Sequence, residues 1–281
     1  MQNFVFDKLN FLTAGMPLST GKASYGRAFE ILSELNLDGM ELEFVHGVRM
    51  SDETRELVKN ERETRKFILT AHAPFYVNLN SQEEDKVEAS VQRIIETGLA
   101  AQATGAFSIT FHAAFYMKQD KEEVYNKVRN RVAEISDFFK KNNINVWIRP
   151  ETTGKGTQWG DLEEIIRLSK EFENVLPCID FSHLHARSAG QFNTYDEFSK
   201  ILETVGNELG QRALDNFHAH LAGIDYGDKG EKKHLILEES DMNYKDLLKV
   251  FKEFNVKGAL VCESPNIEDD AVLLREYYYS I

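Results

Sequence analysis

The side chains of this sequence that are best suited to chemistry are its histidines. A single histidine at the end of an apolar run is usually just a hydrogen-bonded polar residue. Here each of the 8 histidines follows or ends such a run, and none lies in a segment that we predict to be helical. An isolated hydrogen-bonded role is improbable for all eight histidines at once, so we expect their side chains to meet at one site. They are His46, His72, His112, His183, His185, His218, His220 and His234.

Three carboxylates, Glu151, Asp180 and Glu263, also stand at the ends of apolar runs. A buried carboxylate is costly unless it is paired or bound to a cation. Mixed histidine and carboxylate ligands suit zinc, manganese or iron better than magnesium or calcium. These histidines and carboxylates offer more ligands than one tetrahedral ion can bind, which predicts two or three metal ions. The alternative for each acid is an ion pair, for example between Glu151 and Arg149.

The predicted elements would bring these residues together. Short apolar or β-branched runs are predicted as strands at 11–14, 39–44, 67–71, 107–111, 145–149, 175–180, 217–221 and 257–262. Amphipathic helices are predicted between and after them, at 25–35, 52–64, 82–103, 121–142, 161–172, 194–203, 244–254 and 267–279. Eight strand–helix units in 281 residues predict a (β/α)8 TIM barrel. In that fold the C-terminal ends of the strands meet on one face, where active sites are found.

An open, doubly wound α/β sheet is the alternative fold. It usually has a glycine-rich phosphate-binding turn after its first strand, whereas this chain has AGMPL at 14–18. No linker rich in proline, glycine or serine divides the chain. We therefore predict that residues 1–281 form a single barrel domain.

The charge of the chain limits its partners. Its 33 basic and 46 acidic side chains leave a formal net charge of -13, which argues against nucleic acid because such binders usually have a basic face. Divalent ions held by the protein's own acids would change that charge locally. We find no signal peptide, no apolar run of roughly 18 residues and no CxxC pair. We expect a soluble cytoplasmic protein without a membrane partner.

At these residues the sequence resembles the endonuclease IV family, which belongs to the xylose isomerase-like TIM barrels. Its members are zinc-dependent enzymes that repair abasic sites in DNA. The segment CIDFSH, for example, looks like the family's Cys-Ile-Asp-Thr-Cys-His. The matches keep the family's order over nearly the whole chain. They are HAPFYVNL at 72–79, His112, ETTGKG at 151–156, CIDFSH at 178–183, His220-Leu221 and ESP at 263–265.

The resemblance implies ligands, an activity and a partner. The implied activity is hydrolysis of the phosphodiester 5′ to an abasic site in double-stranded DNA, through a metal-bound hydroxide that Glu151 or Glu263 orients. Phe75 and Tyr76 match positions that hold bent DNA, although packing beside the third strand is the alternative. A monomer is implied as well. The implied zinc ligands are His72, His112 and Glu151; Glu151, Asp180, His220 and Glu263, with Glu151 bridging; and His183 with His234.

The sequence also departs from the family. The third-metal segment Asp-Arg-His reads KKH at 232–234, which leaves Glu231 or Asp228 as substitutes, or a third site that is weak or absent. The basic and aromatic segment expected after the second strand is replaced by ELEFVHGVR at 41–49. These departures concern the substrate more than the fold or the metal binding.

Two other functions stay open. A sugar isomerase or epimerase of the related barrel family would need one metal ion, held by the second of these ligand groups. It would not need His72 and His112 as ligands. A degenerate barrel that has lost a metal, and that binds nucleic acid or another partner without catalysing a reaction, is the third possibility. Two or three ions per chain would favour phosphodiester hydrolysis, and one ion would favour the isomerase.

Overall fold

Eight parallel strands form one sheet that curls into a barrel, which confirms the predicted fold class. The computed structural model describes residues 4–22 and 24–281. The strands are β1 (Leu9–Ala14), β2 (Gly39–Glu43), β3 (Ile68–His72), β4 (Ser108–Phe111), β5 (Trp147–Pro150), β6 (Ile179–Asp180), β7 (Phe217–Leu221) and β8 (Gly258–Cys262). Their order in the sheet is β5-β4-β3-β2-β1-β8-β7-β6. Bridges between Ile148 and Val175 and between Glu151 and Cys178 join the two ends and close the barrel.

Helices cover the outside of the barrel. Several begin at caps that the sequence supplies: Asp161 and Thr194 each form a capping box with the glutamate three residues later. Within the two described ranges, no helix combines the length and the apolar character that a membrane crossing requires. The helices are α1 (Tyr25–Glu34), α2 (Asp52–Arg65), α3 (Glu84–Thr104), α4 (Lys121–Lys141), α5 (Leu162–Glu171), α6 (Phe181–Arg187), α7 (Tyr195–Leu209), α8 (Gln211–Leu214), α9 (Tyr244–Glu253) and α10 (Glu268–Ser280).

Strand β7 shows why the interior of the barrel is polar. Its sequence, FHAHL, alternates apolar residues with histidines, and successive side chains of a strand point in opposite directions. The apolar set packs outward on the helices, where the ring of Phe217 lies 5.7 Å from that of Phe251 in α9. The histidines point into the barrel, and Nδ1 of His218 lies 3.0 Å from Oγ of Ser108 on the opposite strand β4.

The structure adds short elements that periodicity did not reveal. Helix α6 follows β6 directly and has 7 residues, too few for a clear apolar period. Its first free backbone N–H groups are capped by Asp180, whose Oδ1 accepts from the N–H of His183 at 2.7 Å. His183 and His185 therefore lie in a helix that the apolar periods did not predict. A hairpin of Gly223–Gly227 with Gly230–Leu235 follows β7 and carries His234.

Candidate metal centre

Glu151 lies at the centre of the cluster that forms where the strands end. It follows β5 directly and is buried. Its Oε2 lies 3.2 Å from Nε2 of His72 and 3.3 Å from Nε2 of His112. Its Oε1 lies 3.2 Å from Nδ1 of His220 and 3.3 Å from Nδ1 of His183. The two oxygens of one carboxylate thus face two different pairs of imidazoles.

The predicted ligands come together in three overlapping groups. In each group the donor atoms lie within 4.8 Å of one another. Two residues belong to two groups each, so the groups are contiguous. All eight predicted ligands are included, and the third group also contains Asp180. The groups are His72, His112 and Glu151; Glu151, Asp180, His220 and Glu263; and Asp180, His183 and His234. A further group, formed by Cys178, His218 and His220, meets the same distance criterion and shares His220 with the second group.

Backbone carbonyls orient three of these imidazoles. A carbonyl oxygen only accepts, so the ring nitrogen beside it carries the proton. Nδ1 of His72 donates to the carbonyl of the next residue at 2.7 Å, and Nδ1 of His183 donates to Thr152 at 2.9 Å. Nδ1 of His234 lies 3.2 Å from the carbonyl of Glu263. When each ring is neutral, Nε2 has the lone pair that a metal ligand requires.

Two buried polar atoms show that these residues fit a cation. Oδ1 of Asp180 caps α6, whereas its Oδ2 is buried without a hydrogen-bond partner among residues 4–22 and 24–281 and lies 3.3 Å from Nδ1 of His183. The same holds for Nε2 of His234 within these ranges. Leaving such atoms without partners is costly. A divalent ion of the kind that accepts both nitrogen and oxygen, such as zinc, would satisfy them.

The pKa values of the cluster follow from burial and close pairing. Burial alone would raise the pKa of Glu151, but the imidazoles beside it hold it well below its usual range. Burial alone would lower the pKa of His72 and of His183, yet the neighbouring carboxylates raise both to about 10. Burial raises the pKa of Asp180 to about 6, although His183 opposes it. Metal binding must therefore displace protons from the two imidazoles.

The remaining histidines do not face the cluster, so the expectation that the whole set meets at one site is wrong for them. Nδ1 of His46 lies 3.2 Å from the hydroxyl of Tyr76 at the rim. His185 points away from His183, because residues two apart on a helix lie on nearly opposite sides, and its Nε2 lies 3.1 Å from Oδ1 of Asp241. His218 lies deeper in the barrel than the cluster.

Two acids of β2 complete the floor of the site, and the sequence interpretation missed them. Glu41 is fully buried, and burial together with the charge of Glu41 raises the pKa of Glu43 to about 8. The available signal was the alternation Glu-Leu-Glu at the end of an apolar strand, which places both acids on one face. The resemblance to the endonuclease IV family had identified this segment only as the replacement of an expected basic and aromatic segment.

Of the two proposed substitutes for the missing aspartate, the structure places Glu231 near the third group. Its backbone N–H donates to Gly154 at 2.9 Å, and its Oε2 lies 3.7 Å from Nε2 of His183. Asp228 is exposed at the turn of the hairpin. Lys232 points outward and pairs with Asp225 at 3.2 Å.

An exposed aromatic pair lies on the rim beside β3. The side chains of Phe75 and Tyr76 are 61% and 41% exposed, and their ring centroids lie 4.2 Å apart. The guanidinium of Arg93 lies 5.2 Å from the centroid of the Tyr76 ring. This exposure argues against the alternative that the pair only packs beside the third strand.

Arg149 does not pair with Glu151. It lies inside the barrel and donates to the carbonyls of Pro177 at 2.8 Å and Asn216 at 2.7 Å. Residues two apart on a strand share a face, but these two act at different depths of the barrel. Cys178 is buried next to this layer, and burial raises the pKa of its thiol to about 12.

Sequence comparison identifies a matching family and relatives that include an uncharacterized protein and a probable endonuclease. The model of the xylose isomerase-like TIM barrel family matches residues 29–279. The uncharacterized protein MJ0133 of Methanocaldococcus jannaschii is 47% identical over 270 residues, 96% of this chain and 97% of that protein. A probable endonuclease 4 of Clostridium botulinum is 24% identical over 172 residues, 60% of this chain and 59% of that protein.

Solved structures show the same fold. Endonuclease IV from Thermus thermophilus matches with a TM-score of 0.73 at 17% identity, over 98% of this chain and 100% of that one. A D-tagatose 3-epimerase-like protein matches with a TM-score of 0.74 at 20% identity, over 96% of both chains. At these identities the likeness concerns architecture alone. By the family match and the barrel, this chain belongs to the xylose isomerase-like TIM barrel family.

Proposed function

We propose that the protein is a metal-dependent endodeoxyribonuclease, with zinc as its metal, that hydrolyses the phosphodiester 5′ to abasic sites. One observation carries this proposal: the two oxygens of Glu151 face different imidazoles, His72 and His112 on one side and His183 and His220 on the other. A carboxylate in this position suits two neighbouring ions. When bound, such ions supply an activated water nucleophile and stabilise the leaving oxygen of an in-line displacement.

The protein's own residues would orient the reacting groups. The side chain of Glu263 is 14% exposed, so it can accept a hydrogen bond from a water molecule at the site. Burial alone would raise its pKa, but the charge and hydrogen bond of His220 lower that pKa to about 2. Glu263 therefore stays ionised at neutral pH and acts as an acceptor. The relatives named endonuclease 4 support the proposed reaction.

The test is incubation of the zinc- or manganese-loaded protein with a duplex that carries one tetrahydrofuran site. We expect incision on the 5′ side of that site and two or three ions per chain by elemental analysis. Absence of incision at every metal loading, together with identical behaviour of Glu151→Gln, would overturn the proposal.

A sugar isomerase or epimerase is the second candidate. The group of Glu151, Asp180, His220 and Glu263 alone would hold the single ion that it needs, and epimerase structures share the fold. The same sample distinguishes the two functions. One ion per chain, no incision and epimerisation of a ketose would favour this candidate.

The aromatic pair at the rim gives a separate prediction about DNA. A base that stacks on an aromatic side chain contributes about 1–3 kcal/mol, so Phe75→Ala is expected to weaken binding of the tetrahydrofuran duplex about 5- to 150-fold. Leu99→Ala is a matched control, because Leu99 is also exposed but lies near the C-terminal end of α3, away from the strand ends. Fluorescence anisotropy measures both. Equal affinities of Phe75→Ala and the parent would exclude a contact of Phe75 with DNA.

A further inference from the structure

Glu41 lies directly beneath the candidate metal centre, inside the barrel. Its Oε1 lies 3.1 Å from Nε2 of His220, and its Oε2 lies 3.2 Å from Nε2 of His218. All three side chains are fully buried. These two short charge contacts are the ones the carboxylate makes: apart from them, neither oxygen of Glu41 has a hydrogen-bond partner in the described part of the chain. Glu41 belongs to none of the donor groups found there, so it can act on a metal only through an imidazole.

We propose that Glu41 is a positioning residue that holds the ring proton of His220 on Nε2, so that the lone pair of Nδ1 faces the metal. This inference rests on the metal centre of the proposed function. Nothing in it requires a particular substrate.

The surroundings of His220 explain why such a residue is needed. Its Nδ1 lies 3.2 Å from Oε1 of Glu151 and 3.2 Å from Oε1 of Glu263. In a neutral imidazole only one nitrogen carries a proton. Without Glu41, the carboxylates of Glu151 and Glu263 would favour the proton on Nδ1. A metal can bind Nδ1 only when that nitrogen carries no proton. An acceptor 3.1 Å from Nε2, on the opposite side of the ring, holds the proton there.

A second imidazole fixes the carboxylate itself. Because a carboxylate only accepts, Nε2 of His218 carries a proton toward Glu41. Nδ1 of His218 then accepts from the hydroxyl of Ser108 at 3.0 Å. The resulting chain spans the barrel from β4 through β7 to β2. This chain holds the carboxylate of Glu41 in one orientation, so that Oε1, the oxygen that does not face His218, lies beside Nε2 of His220.

The direct test requires no substitution. In the full-length, zinc-loaded protein with ¹⁵N-labelled histidine, long-range ¹H–¹⁵N correlation spectra report which nitrogen of each ring is protonated. We expect His220 to be protonated on Nε2 and bound to zinc through Nδ1. A ring protonated on Nδ1 overturns the proposal.

Substitutions test the energetic consequence. Loss of a carboxylate behind a metal-binding histidine typically weakens metal affinity about 10- to 100-fold. We expect Glu41→Leu to lie in that range, and Glu41→Gln to recover part of the loss because its amide oxygen still accepts from Nε2. Glu276→Leu, the same replacement at an exposed position of α10 outside this chain of contacts, should stay close to the parent. Competition with a zinc chelator gives the affinities, and circular dichroism confirms folding. Glu41→Leu with the zinc affinity of the parent overturns the proposal.

The outcomes separate this inference from the proposed function. Zinc binding with the expected tautomer but without incision contradicts only the proposed function. Incision by a protein whose His220 is protonated on Nδ1 contradicts only the role of Glu41. A parent protein that binds no zinc contradicts both.

Discussion

Replacing Glu151 with glutamine is expected to reduce incision of an abasic duplex by about 10³-fold or more, since a bridged pair of ions supplies several kcal/mol of transition-state stabilisation. An amide has only one oxygen that can bind a metal, whereas both oxygens of Glu151 face imidazoles. The substitution should therefore remove at least one ion from the chain. Rates measured under single-turnover conditions, with metal content measured on the same samples, check this result.

The control for this experiment is Glu276→Gln. Glu276 is exposed on α10, so its replacement removes the same charge without touching the cluster. Circular dichroism shows whether each variant is folded. A folded Glu151→Gln protein with the parent's incision rate and metal content would falsify the bridging role of Glu151.

Removal of the metal is the second large effect, and it should depend on pH. Carboxylates raise the pKa of His72 and of His183 to about 10 against the opposing effect of burial. Both rings are therefore protonated at neutral pH when no metal is bound, and binding must release those protons. Metal affinity should rise with pH, by about tenfold per pH unit for each proton displaced. Calorimetric titration in buffers of different ionisation enthalpy counts the protons.

The metal-free protein should show the opposite dependence. A group whose pKa is raised on folding stabilises the fold below its unfolded value, about 6.5 for histidine, and this contribution is lost as the pH rises through the folded value. The metal-free form should thus lose stability between about pH 7 and 10, the window set by the raised pKa values of His72 and His183. Zinc at 100 times its Kd adds about 2.7 kcal/mol, which corresponds to a rise in Tm of roughly 5–10 °C. Binding without proton release, or a Tm that zinc leaves unchanged, would contradict this prediction.

The sequence was sufficient for the architecture. Apolar runs and amphipathic periods predicted all eight barrel strands, within a few residues of their bounds. They also predicted eight of the helices, and α6 and α8 were missed because they have only 7 and 4 residues. Once the barrel is known, the ends of its strands must converge. The position of each predicted ligand after a strand therefore already indicated one shared site.

What the sequence could not decide is where each side chain points and what it meets across the barrel. His183 and His185 are two residues apart, yet only His183 faces the cluster, because they lie on a helix. Glu41 meets His218 and His220 only because β2 and β7 face each other across a closed sheet. Spacing along the chain determined which residues reach the ends of the strands. Pairings across the barrel depend on strand register and side-chain direction, and these exist only once the sheet has closed.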